Sequence, residues 1–371
     1  MGFPPGTSTT VARMADLDAM LHDLDRLVSV ESPSHDVEAL SQSADVVAQV
    51  ILDRTGTAAT IVEGADGPHV HWSGGGSPRV LVLGHHDTVF PLGTLAARPF
   101  RVADGQATGP GVFDMKGGIV QAIHAVAALD DASGVEMLFT ADEEIGSDSS
   151  RALLEERALA CGNVLVLEPS ADGGAVKTGR KGTGTFEVVV RGRAAHAGLE
   201  PEKGVNALVE ASRQVLAIAE FGDAAAGTTV TPTVAHAGTA DNVVPAEARI
   251  RVDVRVTGPE EKARVEALMQ GLTPSLAGAE VVVRGEINRP PMPESASASL
   301  FPIAQEVIPG IGGVAVGGGS DGNFTAARGV PTLDGLGAVG GGAHADHEFV
   351  VVDTMVERAS LLEGILRRLL A

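Results

Sequence analysis

The sequence predicts an α/β fold, with a mostly parallel sheet, helices on both faces and an inserted ferredoxin-like α+β domain. Near-continuous apolar strands such as "RVLVLGH", "GVEMLFTA" and "NVLVLE" alternate with helical segments in the first half of the chain. This alternation is typical of a parallel sheet that is buried on both sides. After Gly182 the order of elements changes, and a later glycine-rich stretch and final helix resume the first pattern.

The first half begins with two predicted helices. The second of them, "DVEALSQSADVVAQVILDRTG", is amphipathic and ends near Gly56. Helices are also predicted at "MKGGIVQAIHAVAAL" and "SDSSRALLEERALA", between the three apolar strands. In the first helix, apolar residues recur at helical spacing at Met14, Leu17, Leu21, Leu24 and Leu27.

The middle of the chain predicts a split βαβ unit between about Gly182 and Arg289. Its order is strand, helix, strand, strand, helix, strand, read from "TFEVVVRG", "GVNALVEASRQVLAIAE", "TTVTPTVAHAG", "AEARIRVDVRV", "PEEKARVEALMQ" and "AEVVVRG". We therefore expect a main domain formed by residues 1–181 and 290–371, and an inserted domain formed by residues 182–289.

Composition narrows the class of protein. The 371 residues favour two domains, and a hydrophobic content of 44% is enough for packed cores. A net charge of −21 disfavours nucleic acid and anionic membranes as partners. The single cysteine, Cys161, excludes an intrachain disulfide. No signal peptide or membrane-spanning apolar run is visible, so we expect a cytoplasmic protein.

Histidines and acids cluster at predicted strand ends and glycine-rich turns. In "LGHHDTV", His85 and Asp87 face the same way because strand side chains alternate, whereas His86 points elsewhere. The carboxyl ends of parallel strands form ligand sites. The other members of the cluster are Asp114 in "GPGVFDMKGG", Asp142, Glu143 and Glu144 in "FTADEEIGS", Glu168 in "LVLEPS", and His344 in "GGGAHADHEFV".

Each of these residues alone is weak support for a site, since a lone histidine usually packs and an acid after a strand usually caps a turn. Together they indicate bound cations, because many acids buried at one sheet edge would otherwise be costly. Imidazole and carboxylate ligands without a thiolate suit zinc, manganese or cobalt. The number of ligands is too large for one tetrahedral ion. It suits two ions, about 3.5–4 Å apart, that share a carboxylate and polarise a carbonyl.

Seven motifs in order resemble the co-catalytic zinc aminoacylase/carboxypeptidase family, peptidase family twenty of the metallopeptidases. They are "GHHDTV", "GPGVFDMKGG", "TADEEIGS", "LEPS", "RGRAAHAGLEPEKGVNALVEAS", "GGGSDG" and "GAHADHEFV". The family includes bacterial glutamate carboxypeptidase, succinyl-diaminopimelate desuccinylase and acetylornithine deacetylase. "HAGLEPEKGVNALVEAS" looks most like the glutamate carboxypeptidase branch. The resemblance implies a zinc exopeptidase-like fold, with the inserted domain as a lid and dimerisation domain.

The resemblance also implies residue roles at the metal centre. It gives two Zn²⁺ ions per subunit, with Mn²⁺ or Co²⁺ as alternatives. Asp87 would orient the ring of His85, and Glu143 would be the general base. The Asp114–Met115 peptide bond is expected to be cis. The ligand sets implied are His85, Asp114 and Glu168 for one ion, and Asp114, Glu144 and His344 for the other.

Substrate recognition is implied less directly. His196 would reach the partner subunit's active site and stabilise the oxyanion; the alternative is a capping histidine before the helix near Gly204. Asn242 and Arg255 match family positions that bind the terminal carboxylate, although Arg255 also fits a solvated strand residue. Further candidates are the backbone N–H groups of Gly318 and Gly319, and the side chains of Lys177, Arg180 and Arg289 for a glutamate side chain.

We therefore expect a homodimeric di-zinc hydrolase that cleaves the amide bond to a C-terminal amino acid, expected to be glutamate, of a small N-acyl or peptidyl substrate. One alternative is an N-acyl-amino-acid deacylase or desuccinylase with the same metals. The other, from a different class, is a metal-dependent binding protein without turnover, in which the general base would be dispensable.

Overall fold

The computed structural model describes residues 16–371, which form two compact units. The second unit consists of residues Lys177–Ala298 and Val314–Pro331, and the other described residues form the first. This division differs from the expected return to the main domain at residue 290, because residues 314–331 belong with the second unit. Hydrogen bonds hold them there: Arg180 donates to Gly318 O and Gly319 O, and Asn323 Nδ2 donates to Pro290 O.

The secondary structure follows the predicted order, with additional short strands. The helices are α1 (Leu17–Val28), α2 (Val37–Thr55), α3 (Thr94–Ala97), α4 (Gly117–Ala127), α5 (Arg151–Cys161), α6 (Ala207–Ala219), α7 (Pro259–Gln270), α8 (Phe301–Val307), α9 (Gly322–Ala327) and α10 (Met355–Leu370). The strands are β1 (Thr60–Val62), β2 (His69–Ser73), β3 (Val80–His85), β4 (Arg101–Ala103), β5 (Gln106–Thr108), β6 (Val135–Thr140), β7 (Val164–Val166), β8 (Val176–Arg180), β9 (Gly182–Arg191), β10 (Thr229–Ala237), β11 (Glu247–Val256), β12 (Glu280–Arg289), β13 (Gly313–Val316), β14 (Thr332–Leu333), β15 (Gly340–Gly341) and β16 (Phe349–Val351).

Helix ends follow ordinary capping rules. Asp16 accepts from the N–H groups at the start of α1, and Asp36 accepts from Ala39 N–H at the start of α2. Helix α2 ends at Gly56, which adopts the left-handed conformation that glycine tolerates. Met14, which was predicted to belong to the first helix, lies outside the described residues.

The main sheet of the first unit has the strand order β1-β2-β6-β3-β7-β14. Strands β6, β3, β7 and β14 run parallel, and β2 joins β6 in antiparallel pairing. The antiparallel edge formed by β1 and β2 was not predicted from the sequence. The expectation of a mostly parallel sheet holds for β6, β3, β7 and β14.

Both faces of this sheet are covered by helices. Along β3, Val80 and Val82 belong to the core that includes residues of α1, α2, α4 and α10. Leu81 and Leu83 are equally buried but point to the opposite face, where α5 contacts β3. The predicted two-sided burial is confirmed. Among the described residues, no helix combines the length and apolarity that a membrane crossing needs.

The second unit contains a four-stranded antiparallel sheet with the order β10-β11-β9-β12. Helix α6 contacts β9, β10 and β11, and α7 contacts β11 and β12. Phe186, Val188 and Ile250 are fully buried in the core of this unit. The observed sequence of elements is the predicted split βαβ arrangement.

Candidate metal centre

Three parallel strands bring acids and a histidine to one edge of the main sheet. His85 is the last residue of β3, Glu143 and Glu144 follow the neighbouring β6, and Glu168 follows β7 on the other side. Because these strands run parallel, their carboxyl ends share one edge of the sheet.

A second small sheet positions the other two candidate ligands. It has the order β15-β16-β5-β4, so the turn between β15 and β16 lies beside the segment that follows β5. That turn carries His344, whose φ is 61°, and the segment after β5 carries Asp114. The Asp114–Met115 peptide bond is cis, as predicted.

Two groups of side chains meet at this edge. In the first, His85 Nε2 lies 3.3 Å from Asp114 Oδ1 and 3.8 Å from Glu168 Oε1. In the second, His344 Nε2 lies 3.4 Å from Asp114 Oδ2 and 3.1 Å from Glu144 Oε2. Within each group the potential ligand atoms lie within 4.8 Å of one another. Asp114 belongs to both groups and faces each with a different oxygen.

Asp87 organises the residues around the first group. The Nδ1 of His85 lies 3.0 Å from Asp87 O and 3.2 Å from Asp87 Oδ1, which leaves Nε2 directed at Asp114. Ser34 Oγ donates to Asp87 at 2.7 Å, and the backbone N–H groups of Glu143 and Glu144 donate at 3.3 Å and 3.2 Å. Asp87 thus fixes the orientation of the ring and the turn that follows β6.

Glu348 is a residue that the sequence reasoning missed. Its buried carboxylate accepts hydrogen bonds from the N–H groups of Gly111, Phe113 and Asp114 at 2.8–2.9 Å. The available signal was its position in "HADHEFV", an acid four residues after the candidate ligand His344 and directly before an apolar strand. By contrast His86 is directed away from the centre, as predicted, and contacts Ser43 Oγ and Pro68 O.

The electrostatics of the centre favour a bound cation. Hydrogen bonding to Asp114 and Glu144 raises the pKa of His344 to about 10. Burial would lower the pKa of His85, but its interactions with the carboxylates of Asp114 and Asp87 outweigh burial and raise that pKa well above its usual value. Burial raises the pKa of Glu144. For Asp114, burial is outweighed by the interactions of its carboxylate with His344 and His85, and the pKa is lowered.

The residues present fit divalent metal ions. Asp114 Oδ1 is buried and accepts no well-aligned hydrogen bond, although His85 Nε2 lies 3.3 Å away. An acceptor of this kind is costly unless a cation contacts it. The donor set of imidazole nitrogens and carboxylate oxygens, without a thiolate, suits zinc, manganese or cobalt.

Glu143 stands beside the two groups without belonging to either. It is only 8% exposed, and its charge acts on both His85 and Glu144. Adjacent carboxylates at the end of one strand therefore have different surroundings. Glu144 faces His344, whereas Glu143 remains close to the centre as a group that can exchange protons.

The candidate substrate residues of the second unit fall into two sets at opposite ends of its sheet. His196 pairs with Val243 in an isolated bridge, and Ala197 N–H donates to Asn242 O at 2.9 Å, so His196 and Asn242 are neighbours. His196 follows β9 and Asn242 precedes β11, so both lie near the end of the sheet where β11 begins at Glu247. Arg255 lies near the other end of β11, about 25 Å away along an extended strand.

Arginines converge at that second end. Arg255 on β11 and Arg289 on β12 both pair with Thr183 on β9, so the three side chains share one face. Arg180 donates to the carbonyls of Gly318 and Gly319 at 3.1 Å. A Cβ at Gly319 would meet Thr183 at 3.0 Å and the side chain of Arg289 at 3.4 Å.

Several of these cations already have partners in the chain. Arg255 forms a two-pronged pair with Asp253, at 3.0 Å and 2.8 Å. Arg289 contacts Asp321 at 3.5 Å and lies over the ring of Phe324. Lys177 lies on the opposite side of β8 from Arg180, because the two are an odd number of residues apart. Of the three residues predicted to bind a glutamate side chain of the substrate, the structure therefore brings together Arg180 and Arg289.

In this chain, imidazoles and carboxylates surround a shared aspartate at one edge of a mixed α/β sheet. This arrangement is typical of one class of proteins, the metal-dependent hydrolases of the co-catalytic type. Residues 81–368 match peptidase family M20/M25/M40, and the chain belongs to that family. It is a metallopeptidase-type enzyme with a candidate metal-binding site.

Individual relatives agree with this membership. Carboxypeptidase G2 of Pseudomonas sp. (strain RS-16) is 32% identical over 364 residues, which cover 92% of this chain and 86% of that protein. A succinyl-diaminopimelate desuccinylase of Rhodopseudomonas palustris (strain BisA53) is 28% identical, with coverage of 80% and 84%. The crystal structure of aminopeptidase PepT from Bacillus cereus ATCC 10987 has a TM-score of 0.75 at 21% identity, covering 96% of this chain and 100% of that one.

Proposed function

We propose that this enzyme is a di-zinc carboxypeptidase that releases a C-terminal glutamate from N-acyl or peptidyl substrates. The observation that carries the proposal is the pair of three-residue groups that share Asp114, with Glu143 next to them. His85, Asp114 and Glu168 would hold one ion, and Asp114, Glu144 and His344 the other. Manganese or cobalt would suit the same donors.

Bound divalent ions would supply a Lewis acid for the scissile carbonyl and a water of lowered pKa. The side chains of the protein transfer the proton and orient the metal ligands. Glu143 takes a proton from the attacking water on its carboxylate and gives it to the leaving amine. Asp87 keeps His85 in one orientation by contact with its Nδ1.

Glutamate as the released residue is supported by the arginines of the second unit. Arg180, Arg255 and Arg289 lie at one end of the four-stranded sheet, beside Gly318 and Gly319. Guanidinium groups bind carboxylates through paired hydrogen bonds, and glutamate at a C-terminus offers two carboxylates. The name of the relative carboxypeptidase G2 agrees with cleavage at a C-terminus.

We also propose a homodimer formed through the second unit, in which His196 of one subunit stabilises the oxyanion in the partner's site. The distance along the sheet between His196 and Arg255 supports a site to which both subunits contribute, since these residues lie at opposite ends of the sheet within one chain. A cytoplasmic location remains a prediction.

The test is a panel of amides with one acyl group and a varied C-terminal residue, assayed with zinc-loaded enzyme. We expect kcat/KM for glutamate to exceed that for glutamine, aspartate and alanine. Equal rates for all four would contradict the proposal. In the His196→Ala variant we expect turnover to fall much more than zinc content, and an equal loss of both would count against the role of His196.

The alternative within the class is a deacylase or desuccinylase, which the names of several relatives favour. It predicts that the acyl group, rather than the C-terminal residue, controls kcat/KM. A binding protein without turnover would tolerate Glu143→Ala with unchanged function. A second panel, with one C-terminal residue and a varied acyl group, tests the deacylase, and the turnover of Glu143→Ala in the first panel tests the binding protein.

A further inference from the structure

A cavity of about 640 Å³ adjoins the metal centre within the first unit. Glu144 belongs both to the second group of candidate ligands and to the wall of this cavity. The volume is in the range of pockets that hold small molecules. When the carbonyl of a substrate is at the metal centre, a group bound in this cavity lies next to the scissile bond.

The wall of the cavity is fixed by hydrogen bonds between two chain segments. Thr88 N–H donates to Ser32 O at 2.8 Å, and Ser34 N–H donates to Thr88 O at 3.3 Å. The carboxylate of Glu31 accepts from the N–H groups of Gly93 and Leu95, each at 2.8 Å. The turn that carries Leu92 is therefore held in place, and the cavity is formed before any ligand arrives.

The side chains that face the cavity do not favour a bound group that carries a carboxylate. Val89, Leu92 and Ile145 line it and are 42%, 56% and 36% exposed, and exposed apolar side chains grouped in one cavity are typical of a binding surface. Its ionisable groups are His35 and the carboxylates of Asp36 and Glu144. None of the described residues that line it is Lys or Arg. A carboxylate placed there would lose water without a Lys or Arg side chain of the wall to pair with.

We propose that this cavity receives the acyl half of the substrate, and that it selects an apolar, uncharged acyl group over an anionic one such as succinyl. The proposal depends on the proposed function, since it concerns the other side of the same amide bond. A doubly charged glutamate does not suit these walls, whereas an alkyl or aryl acyl chain buries Val89, Leu92 and Ile145. The acyl preference would then separate this enzyme from the desuccinylases to which it is related.

The test compares three glutamate amides with zinc-loaded enzyme. N-succinyl-L-glutamate and N-(4-methylpentanoyl)-L-glutamate have nearly the same shape and differ by a carboxylate in place of an isopropyl group, and N-acetyl-L-glutamate lacks the extension. We expect kcat/KM for the 4-methylpentanoyl amide to exceed that for the acetyl amide by roughly tenfold. The advantage over the succinyl amide should be larger, about a hundredfold.

The matched variants are Leu92→Lys, on the wall, and Leu159→Lys, on α5 at a similar exposure of 50% and away from the cavity. Leu92→Lys should lower kcat/KM for the 4-methylpentanoyl amide and raise it for the succinyl amide, each by roughly tenfold. Leu159→Lys should leave the ratio unchanged.

The outcomes separate the two proposals. If glutamate amides are cleaved but the three acyl groups react equally, or Leu92→Lys does not shift the ratio, the cavity is not the acyl site. If no glutamate amide is cleaved, while amides of another amino acid are, the proposed function is wrong and the acyl assignment that depends on it is withdrawn.

Discussion

Glu348 and Asp114 are joined by a hydrogen bond of 2.8 Å from the backbone N–H of Asp114 to Glu348 Oε1. Glu348 lies in the turn that also carries His344, between β15 and β16. One buried carboxylate therefore ties the segment of the shared aspartate to the segment of a second candidate ligand. The geometry of both groups depends on this connection.

Replacement of Glu348 by glutamine should weaken metal binding. The amide NH₂ would face one of the backbone N–H groups that now donate to a carboxylate, so the turn would shift relative to Asp114. We expect zinc affinity to fall about 10–100-fold, measured by competition with a chromophoric chelator. Glu357→Gln, an exposed change on α10, is the control. Unchanged affinity in Glu348→Gln would mean that the connection is not needed.

Glu143→Gln should separate proton transfer from metal binding. The glutamine keeps the shape of the side chain but cannot carry a proton between water and amine. We expect kcat to fall by about 10²–10⁴-fold with zinc content unchanged. Glu144→Gln is the contrasting variant, since it should lose zinc as well. A loss of zinc in Glu143→Gln would assign it to the ligands instead.

Metal removal should destabilise the first unit. Without cations, three carboxylates and two imidazoles crowd the same edge of the sheet. At free zinc a hundredfold above its dissociation constant, each bound ion adds about 2.7 kcal/mol, which corresponds to an increase in Tm on the order of 5 °C per ion. Calorimetry with zinc and with a chelator measures the difference. In Asp114→Asn, which alters both groups, the zinc-dependent increase should largely disappear.

Asp23 should control stability at acid pH. Its buried carboxylate accepts from Arg54 Nε at 2.6 Å and lies 2.8 Å from His124 Nε2. Burial would raise its pKa, but the hydrogen bonds from His124 and Arg54 outweigh burial and lower the pKa to about 2. We expect Asp23→Asn to lower the free energy of unfolding by about 3 kcal/mol at pH 7.

The sign of the pH effect follows from the lowered pKa. The contribution of Asp23 is present above its unfolded pKa of about 3.8 and is lost as pH falls toward about 2. The difference between native protein and Asp23→Asn should therefore be constant from pH 7 to pH 5 and shrink below pH 4, measured by urea unfolding. Asp53→Asn, which removes an exposed partner of Arg26, should change little. A difference at pH 3 that is as large as the difference at pH 7 would contradict this assignment.

The ligand groups were predictable because strand ends carry local signals. His85, Glu144 and Glu168 each follow an apolar strand, and parallel strands end at one edge by geometry alone. The pairing of these residues with Asp114 and His344 rested on the family resemblance, since no local pattern indicates that β5 and β16 are neighbours. Glu348 was missed for the same reason, because its role exists only once that pairing forms.

Long-range contacts also explain the other differences. Residues 314–331 look like part of the main domain in sequence, but their hydrogen bonds to Arg180, Lys181 and Pro290 place them in the second unit. The family resemblance assigned Asn242 and Arg255 to the same terminal carboxylate, but within one chain they lie near opposite ends of strand β11. The short strand β1, half-exposed at the sheet edge, lacks the apolar alternation that sequence reading requires.

The order of the ligands along the chain has a consequence for biosynthesis. The first group is complete once Glu168 has been made, whereas the second group also needs His344. The entire inserted unit is translated in between. A nascent chain can therefore assemble one ion-binding group before the second unit is translated, and acquires the other only after that unit has been made.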